Sequence, residues 1–585
     1  MGRNNPHPYR GGKMNMQSRS YLSGILKKAP GNIRPVITTI ILSIFSAFSA
    51  VFFMYLLKKG FSHTYEKFAE GSALYFITAS FILISVCSLI SGLLMYKYAP
   101  ETAGSGIPQV KASYWKDMGI ISFRSVIIKF FAGIFSIVGG NSLGREGPSV
   151  YIGSGIATNL DTYLGGDARN KRAASLIGAS AGLAAAFNTP LAAITFVIEE
   201  IIGEFNNRYL GKVVLSSVIG AFVVFAVMGR QPAFSLPSVG DISWFHYAIV
   251  PVVAVISSFL SVAFQKNLML LRRRTLNQKK MPGWLMPVAG GLMVWVIGNI
   301  IFFSTGNLGI FGLGYNELSS AMSNNINWRI AGILAGAKLL ATLFSYGFGG
   351  CGGIFAPSLF IGGFTGFFIG GIAEMWIPLT PEDHIVLAAI GMSTFLGVLI
   401  NAPMTSVLIV FEMTHQFHMV PGLMLGMIIS QMISLKFTPV NIYDSILVQD
   451  GHELHKIRPP VDLKSWRNLE IKTIANPNIT FLSSLETAEM KNYTERYPYK
   501  VIPVIINGKI KGMTTRKIVL KSIENGTDPE IFDAGTCTDT ETVNEVGNRF
   551  VESELNVLIV IDDNNKPSGI ITLHDLIRAQ AAIQS

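Results

Sequence analysis

The sequence predicts an all-α polytopic membrane protein with duplicated repeats and broken helices, followed by a soluble α/β region. Hydrophobic residues make up 50% of the chain and charged residues only 14%, against about 25% charged in an ordinary soluble protein. The first apolar run, residues 36–57, is long enough to span a bilayer. After about residue 450, charged residues become frequent and short Val/Ile strands alternate with polar helices. A chain made only of soluble domains is therefore excluded.

The net charge of +11 is unevenly distributed. Residues 1–34 carry seven Lys or Arg and no acid, and residues 266–280 carry six more. Basic flanks are typical of the cytoplasmic side of a membrane protein. We therefore expect a basic cytoplasmic tail at 1–34, both termini in the cytoplasm and no nucleic-acid partner. Cys87, Cys351 and Cys537 are far apart and odd in number, which excludes a disulfide framework and a thiolate metal site.

Several apolar segments are too short to cross a bilayer alone and begin at Pro or Gly. In lipid, such broken ends are tolerated only where they are buried in protein or line an aqueous cavity. The sequence therefore predicts helices that stop inside the membrane domain. These segments are residues 104–116, 148–160, 173–188, 190–202, 357–372 and 403–414.

The chain matches itself, which is typical of transporters with a site at the repeat interface. At an offset of 209 residues, 129–136 aligns with 338–345 and 144–153 aligns with 353–362. At an offset of 213, the Asn-x-Pro of Asn188, followed by Glu199, aligns with that of Asn401, followed by Glu412. Three blocks in the same order predict two repeats, at about 73–228 and 284–435. The soluble tail has its own repeat, since 501–515 aligns with 557–572, and two small βαβ-type modules are expected.

Three glycine-rich turns each lead into a helix with Pro near its first turn: Gly104-Ser-Gly-Ile-Pro108, Gly144-Arg-Glu-Gly-Pro148 and Gly352-Gly-Ile-Phe-Ala-Pro357. Proline suits the first helical turn because the N–H that it lacks would have no partner there. The other N–H groups stay open, the helix start carries partial positive charge, and glycines let an ion approach the backbone. Three such ends in a membrane domain predict an anion site.

These segments resemble the CLC family of chloride channels and proton-coupled chloride transporters. GSGIP, GREGP and GIFAP are all intact, and the resemblance covers about residues 35–450, including Asn441-Ile-Tyr-Asp-Ser-Ile-Leu447. It implies about eighteen helices, inverted repeats and a homodimer with one ion pathway in each subunit. It also implies a central chloride site made by the hydroxyls of Ser105 and Tyr443 and the backbone amides of Ile354 and Phe355.

Carboxylates within a membrane are costly, so each needs an explanation. Glu146 stands at a helix start that faces the predicted anion site, and the resemblance implies that it is the external gating glutamate. Glu199 and Glu200 point about 100° apart on one helix and cannot share a role. Glu199 matches Glu412 in the repeat, which indicates a paired structural role near the subunit interface.

Glu200 matches the apolar Met413 instead, so it is the better functional candidate. The resemblance implies that it is the internal proton-transfer glutamate, which transporters retain and channels commonly replace by an apolar residue. The alternative is a solvated residue at the cytoplasmic end of the helix. The pair Lys129 and Lys338 is expected to be structural, either snorkelling or bonding helix ends, rather than ligand-binding.

The tail, after a linker at 451–469, resembles a pair of CBS domains at 470–523 and 531–585. In that family a Thr-x-x-Asp turn holds the ribose of an adenine nucleotide. The second module has this turn as Thr572 and Asp575, whereas the first has Thr515 followed by Ile518. At most one well-formed ribose contact is expected.

The sequence and its resemblance to the family thus predict exchange of chloride for protons across a membrane, which we expect to be a bacterial plasma membrane. No cofactor is expected to be required, and adenine nucleotide is expected as a ligand of the tail. A passive chloride channel is the first alternative. A CBS-regulated cation transporter for magnesium is more distant, because it would need a carboxylate cluster at the pore. An enzyme is not expected, since the spans contain no Ser/His, Asp/Asp or His-x-x-x-His arrangement.

Overall fold

The computed structural model describes residues 30, 33–166, 171–203, 209–229, 246–278, 280–323, 325–452, 469–543, 545–546, 549, 557–562 and 566–576. The chain divides into two compact units, Met1–Ile457 and Arg458–Ser585. The predicted tail at 1–34 and linker at 451–469 lie largely outside the described residues.

The first unit is helical throughout its described part. Its helices are α1 Arg34–Phe61, α2 Ala73–Tyr98, α3 Ile107–Lys116, α4 Phe123–Val138, α5 Glu146–Tyr163, α6 Lys171–Phe187, α7 Pro190–Phe196, α8 Leu210–Met228, α9 His246–Asn277, α10 Met286–Thr305, α11 Tyr315–Met322, α12 Trp328–Gly347, α13 Phe355–Ala373, α14 Pro381–Ile400, α15 Pro403–Thr414, α16 Val420–Phe437 and α17 Ile442–Gln449. Helix α7 continues as a π-helix, Val197–Ile202. Helix α1 is followed by a π-helix, Ser62–Glu66, and one α-helical turn, Lys67–Ala69. Short 3₁₀ helices are Pro100–Thr102, Gly283–Leu285 and Phe417–Met419.

Local sequence explains where several helices begin. Pro190 and Pro403 are the first residues of α7 and α15, where a missing N–H costs no intrahelical hydrogen bond. Thr380 and Asp383 form a capping box at the start of α14, in which each side chain accepts from the backbone N–H of the other residue. The predicted interruptions therefore coincide with real helix starts.

Nine helices or helix pairs among the described residues are long and apolar enough to cross a membrane. Their environments differ. The most apolar window of α2 is 28% buried, whereas that of α14 is 100% buried, so α14 is enclosed by other helices of the unit. Helices α13 and α14 therefore form the centre of the second repeat, as the packed pair α5 and α6 does in the first.

The helix order repeats, and the repeats are inverted. Helices α2–α8 are followed, after α9, by α10–α16 in the corresponding order. Helices α7 and α15 pack against each other. The carboxylate of Glu199 in the π-helical end of α7 binds the start of α15, and that of Glu412 near the end of α15 binds the start of α7. The two equivalent helices therefore run antiparallel.

Close helix crossings follow the same repeat. A Cβ atom on Gly178 of α6 would lie 2.1 Å from the carbonyl oxygen of Gly153 on α5. The equivalent Gly391 of α14 would place a Cβ 2.1 Å from the carbonyl oxygen of Gly362 on α13. Since no real Cβ atom fits at that distance, glycine allows each pair of backbones to touch.

The described part of the second unit contains helices α18 Ile471–Ile474, α19 Thr487–Arg496 and α20 Arg516–Asn525 and five strands. Strands β1 Val501–Ile506 and β2 Lys509–Thr515 pair antiparallel. In the other sheet, β3 Thr536–Thr538 pairs parallel with β4 Val557–Ile561, which pairs antiparallel with β5 Pro567–Thr572. The α/β character predicted for the tail is confirmed.

Packing divides this unit differently from the predicted boundaries. Ile471 belongs to a hydrophobic cluster with Cys537 and Leu558 of the second module. Asn476 also forms a β-bridge with Ile570. Residues 471–476 therefore pack with the second module and not with the first. The internal repeat does not show this, because its matching blocks begin only at residues 501 and 557.

Candidate ion-binding site

The three glycine-rich turns meet in the structure. Gly144 and Gly353 exchange two backbone hydrogen bonds, with N···O distances of 2.6 and 2.7 Å. Gly104 donates to the carbonyl of Gly350 and accepts from the amide of Gly352, both at 3.1 Å. Because Gly144 and Gly353 are equivalent residues of the two repeats, the turns join where the inverted repeats meet.

Three helices begin at this junction: α3 at Ile107, α5 at Glu146 and α13 at Phe355. The first N–H groups of a helix have no partner within the helix and carry partial positive charge. The starts are close together, since a Cβ on Gly147 would lie 2.2 Å from the Ser105 hydroxyl oxygen. The junction therefore offers an electropositive environment that donates hydrogen bonds from backbone N–H groups.

Ser105 and Tyr443 place two hydroxyls at the junction. Both side chains are fully buried, and the Tyr443 hydroxyl lies beside Ser105. Within the described part of the chain neither hydroxyl makes a well-aligned hydrogen bond. Buried polar groups normally have partners, so two adjacent hydroxyls without a well-aligned acceptor indicate a site that can donate hydrogen bonds to a ligand.

Two cavities approach the junction. One, of about 520 Å³, is lined by Arg145 and Tyr315, which adjoin Glu146. The other, of about 580 Å³, is lined by Gly104 and Tyr346. The Tyr346 hydroxyl accepts a hydrogen bond of 3.3 Å from the backbone N–H of Ser105. The Glu146 side and the Ser105 side of the junction therefore each have their own cavity.

Glu146 is fully buried, and its carboxylate crosses to the second repeat. Oε1 accepts a hydrogen bond of 2.6 Å from the Tyr315 hydroxyl, and Oε2 accepts one of 3.3 Å from the backbone N–H of Ala356. Ala356 is the second residue of α13. The carboxylate thus occupies the start of that helix in the manner of a bound anion.

Tyr315 was not identified from the sequence. It follows Gly312-x-Gly314, whose glycines both have positive φ, as do the glycines of Gly104-x-Gly106 in the first repeat. This shared turn could have directed attention to Tyr315. However, the equivalent residue in the first repeat is Ile107, so the alignment of the repeats shows no match at Tyr315. Arg145 lies over the Tyr315 ring at 5.1 Å and helps to fix it.

Glu200 lies in a buried polar cluster and is 1% exposed, which excludes the solvated alternative. Its Oε1 accepts from the Lys111 ammonium at 2.6 Å, and its Oε2 accepts from the Asn441 side-chain amide at 2.9 Å. Lys111 also forms an ion pair with Asp444. Sequence analysis missed Lys111, Asn441 and Asp444, although a lysine within an apolar helix was a visible signal.

Glu199 and Glu412 form the predicted pair. Glu199 accepts hydrogen bonds from the backbone N–H groups of Met404 and Thr405, at 3.1 and 2.8 Å. Glu412 accepts from those of Leu191 and Ala192, at 2.9 and 2.7 Å. Each acid therefore caps the first turn of the other repeat's helix, which satisfies open N–H groups and favours a negative charge.

Lys129 and Lys338 are also structural, as expected. Lys129 donates to the carbonyls of Thr102 and Gly104, at 2.8 and 2.6 Å. Lys338 donates to the carbonyls of Ile310 and Gly312, the equivalents of Thr102 and Gly104, at 3.3 and 2.8 Å, and to that of Gly309 at 2.7 Å. Both lysines therefore hold the turn that precedes a short helix.

In the second unit, Thr572 and Asp575 form a capping box at the end of β5. The Asp575 carboxylate accepts from the backbone N–H and the hydroxyl of Thr572, at 2.9 and 2.7 Å. In the first module Thr515 caps α20 alone, by accepting from the N–H of Ile518. Among the described residues, no group of three or more His, Cys, Asp and Glu side chains is placed to hold a metal ion.

The fold and the site define an integral membrane protein with an inverted repeat and converging helix starts. A family model described as voltage gated chloride channel matches residues 87–435, and the chain belongs to this family. A model of the CBS domain matches residues 529–582.

Curated relatives carry the name H(+)/Cl(-) exchange transporter ClcA. That of Vibrio cholerae serotype O1 (strain M66-2) is 29% identical over 360 residues, which are 60% of this chain and 75% of the relative. That of Vibrio campbellii (strain ATCC BAA-1116) is 27% identical over 382 residues, or 64% and 81% of the two chains.

Solved structures share the fold. A slow cyanobacterial Cl⁻/H⁺ antiporter has a TM-score of 0.64 at 22% identity and covers 71% of this chain and 97% of its own. A eukaryotic CLC transporter has a TM-score of 0.57 at 18% identity and covers 92% and 98%. The predicted fold class and family are confirmed.

Proposed function

We propose that this protein is an antiporter that moves chloride across a membrane in exchange for protons. The observation that carries the proposal is the position of Glu146, whose carboxylate lies at the start of α13 and accepts a hydrogen bond from the N–H of Ala356. An anion bound at that helix start would use the same donors. The names of the curated relatives agree with this function.

The central chloride site consists of the hydroxyls of Ser105 and Tyr443 and the backbone amides of Ile354 and Phe355. The two buried hydroxyls without well-aligned partners support this assignment. Ile354 and Phe355 are buried at the start of α13, where helical N–H groups point outward. Chloride would thus be held by neutral donors, which permits release as well as binding.

Glu146 is the gating glutamate and Glu200 the internal proton-transfer residue. A protonated Glu146 loses its charge, so the start of α13 no longer attracts it and an anion takes its place. Glu200 is an ionisable group buried near Tyr443, within a cluster that a passive pore does not need. Exchange then follows because proton and anion compete through one carboxylate.

The test is Glu146→Gln in reconstituted liposomes. The neutral side chain should leave chloride flux intact but independent of a proton gradient. Glu412→Gln is the matched control, because Glu412 is also a buried acid that accepts from helix N–H groups. Chloride flux that still follows the proton gradient in Glu146→Gln would remove Glu146 from the mechanism.

A passive chloride channel is the alternative that shares the anion site. The buried Glu200 cluster favours the antiporter over it, since channel members of the family commonly carry an apolar residue there. The magnesium alternative requires a carboxylate cluster, whereas the junction presents helix N-termini and hydroxyls, which favour anions.

The protein is proposed to act as a homodimer in a bacterial plasma membrane, with both termini in the cytoplasm. The family resemblance supports the dimer and the basic flanks support the orientation. Cross-linking of the full chain in native membranes tests the dimer. Labelling of single cysteines introduced near each terminus tests the orientation.

An adenine nucleotide is proposed as a ligand of the second CBS module, with Thr572 and Asp575 at the ribose. Calorimetry of the full chain with ATP or AMP should detect binding, and Asp575→Ala should abolish it. Thr515→Ala is the control in the first module. Absence of binding at millimolar nucleotide would leave the Thr572 and Asp575 box as a helix cap only.

A further inference from the structure

Tyr346 places a phenol hydroxyl against the backbone of the first glycine-rich turn. The residue is 2% exposed and lies near the end of α12. Its hydroxyl oxygen accepts a hydrogen bond of 3.3 Å from the backbone N–H of Ser105. A Cβ atom on Gly104 would lie 2.9 Å from the same oxygen, so the phenol reaches the turn itself. Tyr346 therefore occupies a backbone donor of the turn that also carries the Ser105 hydroxyl.

The N–H of Ser105 has the surroundings of an anion donor. Gly104 and Tyr346 both line the cavity of about 580 Å³, so the amide lies at the edge of that cavity. Helix α3 begins at Ile107, two residues after Ser105, and a helix start carries partial positive charge. The phenol oxygen therefore lies where an anion from this cavity would accept a hydrogen bond from the amide.

The equivalent place in the other repeat is apolar. At the offset of 209 residues, Tyr346 corresponds to Ile137, and Ser105 corresponds to Leu313 in the turn Gly312-x-Gly314. Ile137 and Leu313 both line the other cavity, of about 520 Å³. Because that turn forms with an aliphatic residue in place of the phenol, a hydroxyl is not needed to build this kind of turn. The contact between Tyr346 and Ser105 is therefore particular to one side of the junction.

We propose that Tyr346 limits the number of anions in the pathway, because its hydroxyl prevents a second anion from binding the Ser105 amide. The inference deepens the proposed function and rests on it. The phenol oxygen replaces an anion at this N–H as the Glu146 carboxylate does at the N–H of Ala356. Unlike Glu146, the phenol is already neutral, so a proton does not release it.

The experiment is crystallography of the full chain with bromide in place of chloride, since anomalous scattering locates bromide. In the unmodified protein, no bromide should lie within hydrogen-bond distance of the Ser105 nitrogen. Tyr346→Phe removes one oxygen and keeps the ring, so the amide becomes a buried donor without a partner, which is costly. An additional bromide should then occupy the place of the lost oxygen, which is 3.3 Å from that nitrogen.

Two further variants define what the additional bromide means. Tyr346→Ile introduces the residue type of the equivalent position, Ile137, and should show the same additional bromide. Tyr65→Phe is the matched control, because Tyr65 is a fully buried tyrosine whose hydroxyl donates to the carbonyl of Gly139. It removes the same atom elsewhere in the unit and should leave the bromide positions unchanged.

A bromide on the Ser105 nitrogen of the unmodified protein would overturn the proposal, because the phenol would then not exclude an anion from the amide. Water in place of the additional bromide in both Tyr346→Phe and Tyr346→Ile would overturn it too, since the amide would then not attract an anion. Failure of the antiporter proposal is distinguishable. It appears as absent proton transport in liposomes, whereas the bromide positions depend on the hydrogen-bond donors at the junction.

Discussion

Glu146, Glu200 and Glu412 are all buried acids, yet each carboxylate has a different kind of partner. Glu146 accepts from a phenol hydroxyl and one helix N–H, Glu200 from an ammonium and an amide, and Glu412 from two helix N–H groups. Of the three, Glu146 is the one at the junction of the glycine-rich turns, where the anion site is proposed. Burial alone therefore does not distinguish their roles, whereas their partners do.

Tyr315→Phe should strengthen chloride binding. The variant removes the hydroxyl that donates to Glu146 Oε1 at 2.6 Å, so an anion displaces the carboxylate more easily. A hydrogen bond to a charged group is worth about 1.5–3 kcal/mol. The chloride Kd measured by calorimetry should therefore fall by about tenfold.

Tyr65→Phe is the matched control, since Tyr65 is a buried tyrosine that donates to the carbonyl of Gly139 instead. It should alter stability without altering the chloride Kd. An unchanged Kd in Tyr315→Phe would show that this hydroxyl does not hold Glu146 at the helix start.

At this scale the sequence predicts the residues that belong to motifs. Ser105, Glu146, Ile354 and Phe355 lie in glycine-rich turns, and those turns do meet. Lys111 and Asn441 belong to no repeated block, and Glu200, which they bind, is matched in the second repeat by the apolar Met413. Their role depends on how α3, α7 and α17 pack, which sequence spacing does not determine.

At the scale of the helix, the acids that cap α7 and α15 are expected to affect the stability of the protein and not its transport. Glu199→Gln or Glu412→Gln should lower the stability of the protein by about 1 kcal/mol, a typical loss for a helix cap. The ratio of chloride to protons transported should stay unchanged. Thermal unfolding and coupled flux measure the two effects, and uncoupling by Glu199→Gln would contradict the structural assignment.

The glycine crossings give a second prediction for helices. Gly391→Ala should destabilise the protein by about 1–3 kcal/mol, because its methyl group would meet the carbonyl of Gly362. Gly336→Ala is the control, since a Cβ on that α12 glycine meets nothing within 4 Å. There the substitution should be neutral or stabilising by about 1 kcal/mol. Equal thermal stabilities of the two variants would contradict the close crossing.

Helices and their interruptions are largely predictable from apolar length and from Pro and Gly. The inversion of the repeats is not predictable in this way, because similar sequences in two repeats are compatible with either a parallel or an antiparallel arrangement. Only contacts such as those of Glu199 and Glu412 with opposite helix starts establish the direction. The boundary between the tail modules was also not predictable from the sequence, because Ile471 packs against residues far along the chain, such as Cys537 and Leu558.

For the whole molecule, inversion places equivalent turns of the two repeats against each other. Gly144 and Gly353 join them, and one cavity reaches the Glu146 side of this junction and another the Ser105 side. The proposed anion site therefore lies between two cavities, and the Glu146 carboxylate is on the side of one of them. This arrangement suits the proposed exchange, in which Glu146 controls access for both ions.

The most direct test of exchange is uphill proton movement in liposomes that contain the full chain. Chloride is placed at higher concentration inside, the pH is equal on both sides, and the membrane potential is held at zero. As chloride leaves, protons should enter against the gradient that they build, and Glu200→Gln should stop the protons while chloride continues. Chloride efflux without any proton movement in the unmodified protein would contradict the antiporter and favour a passive channel.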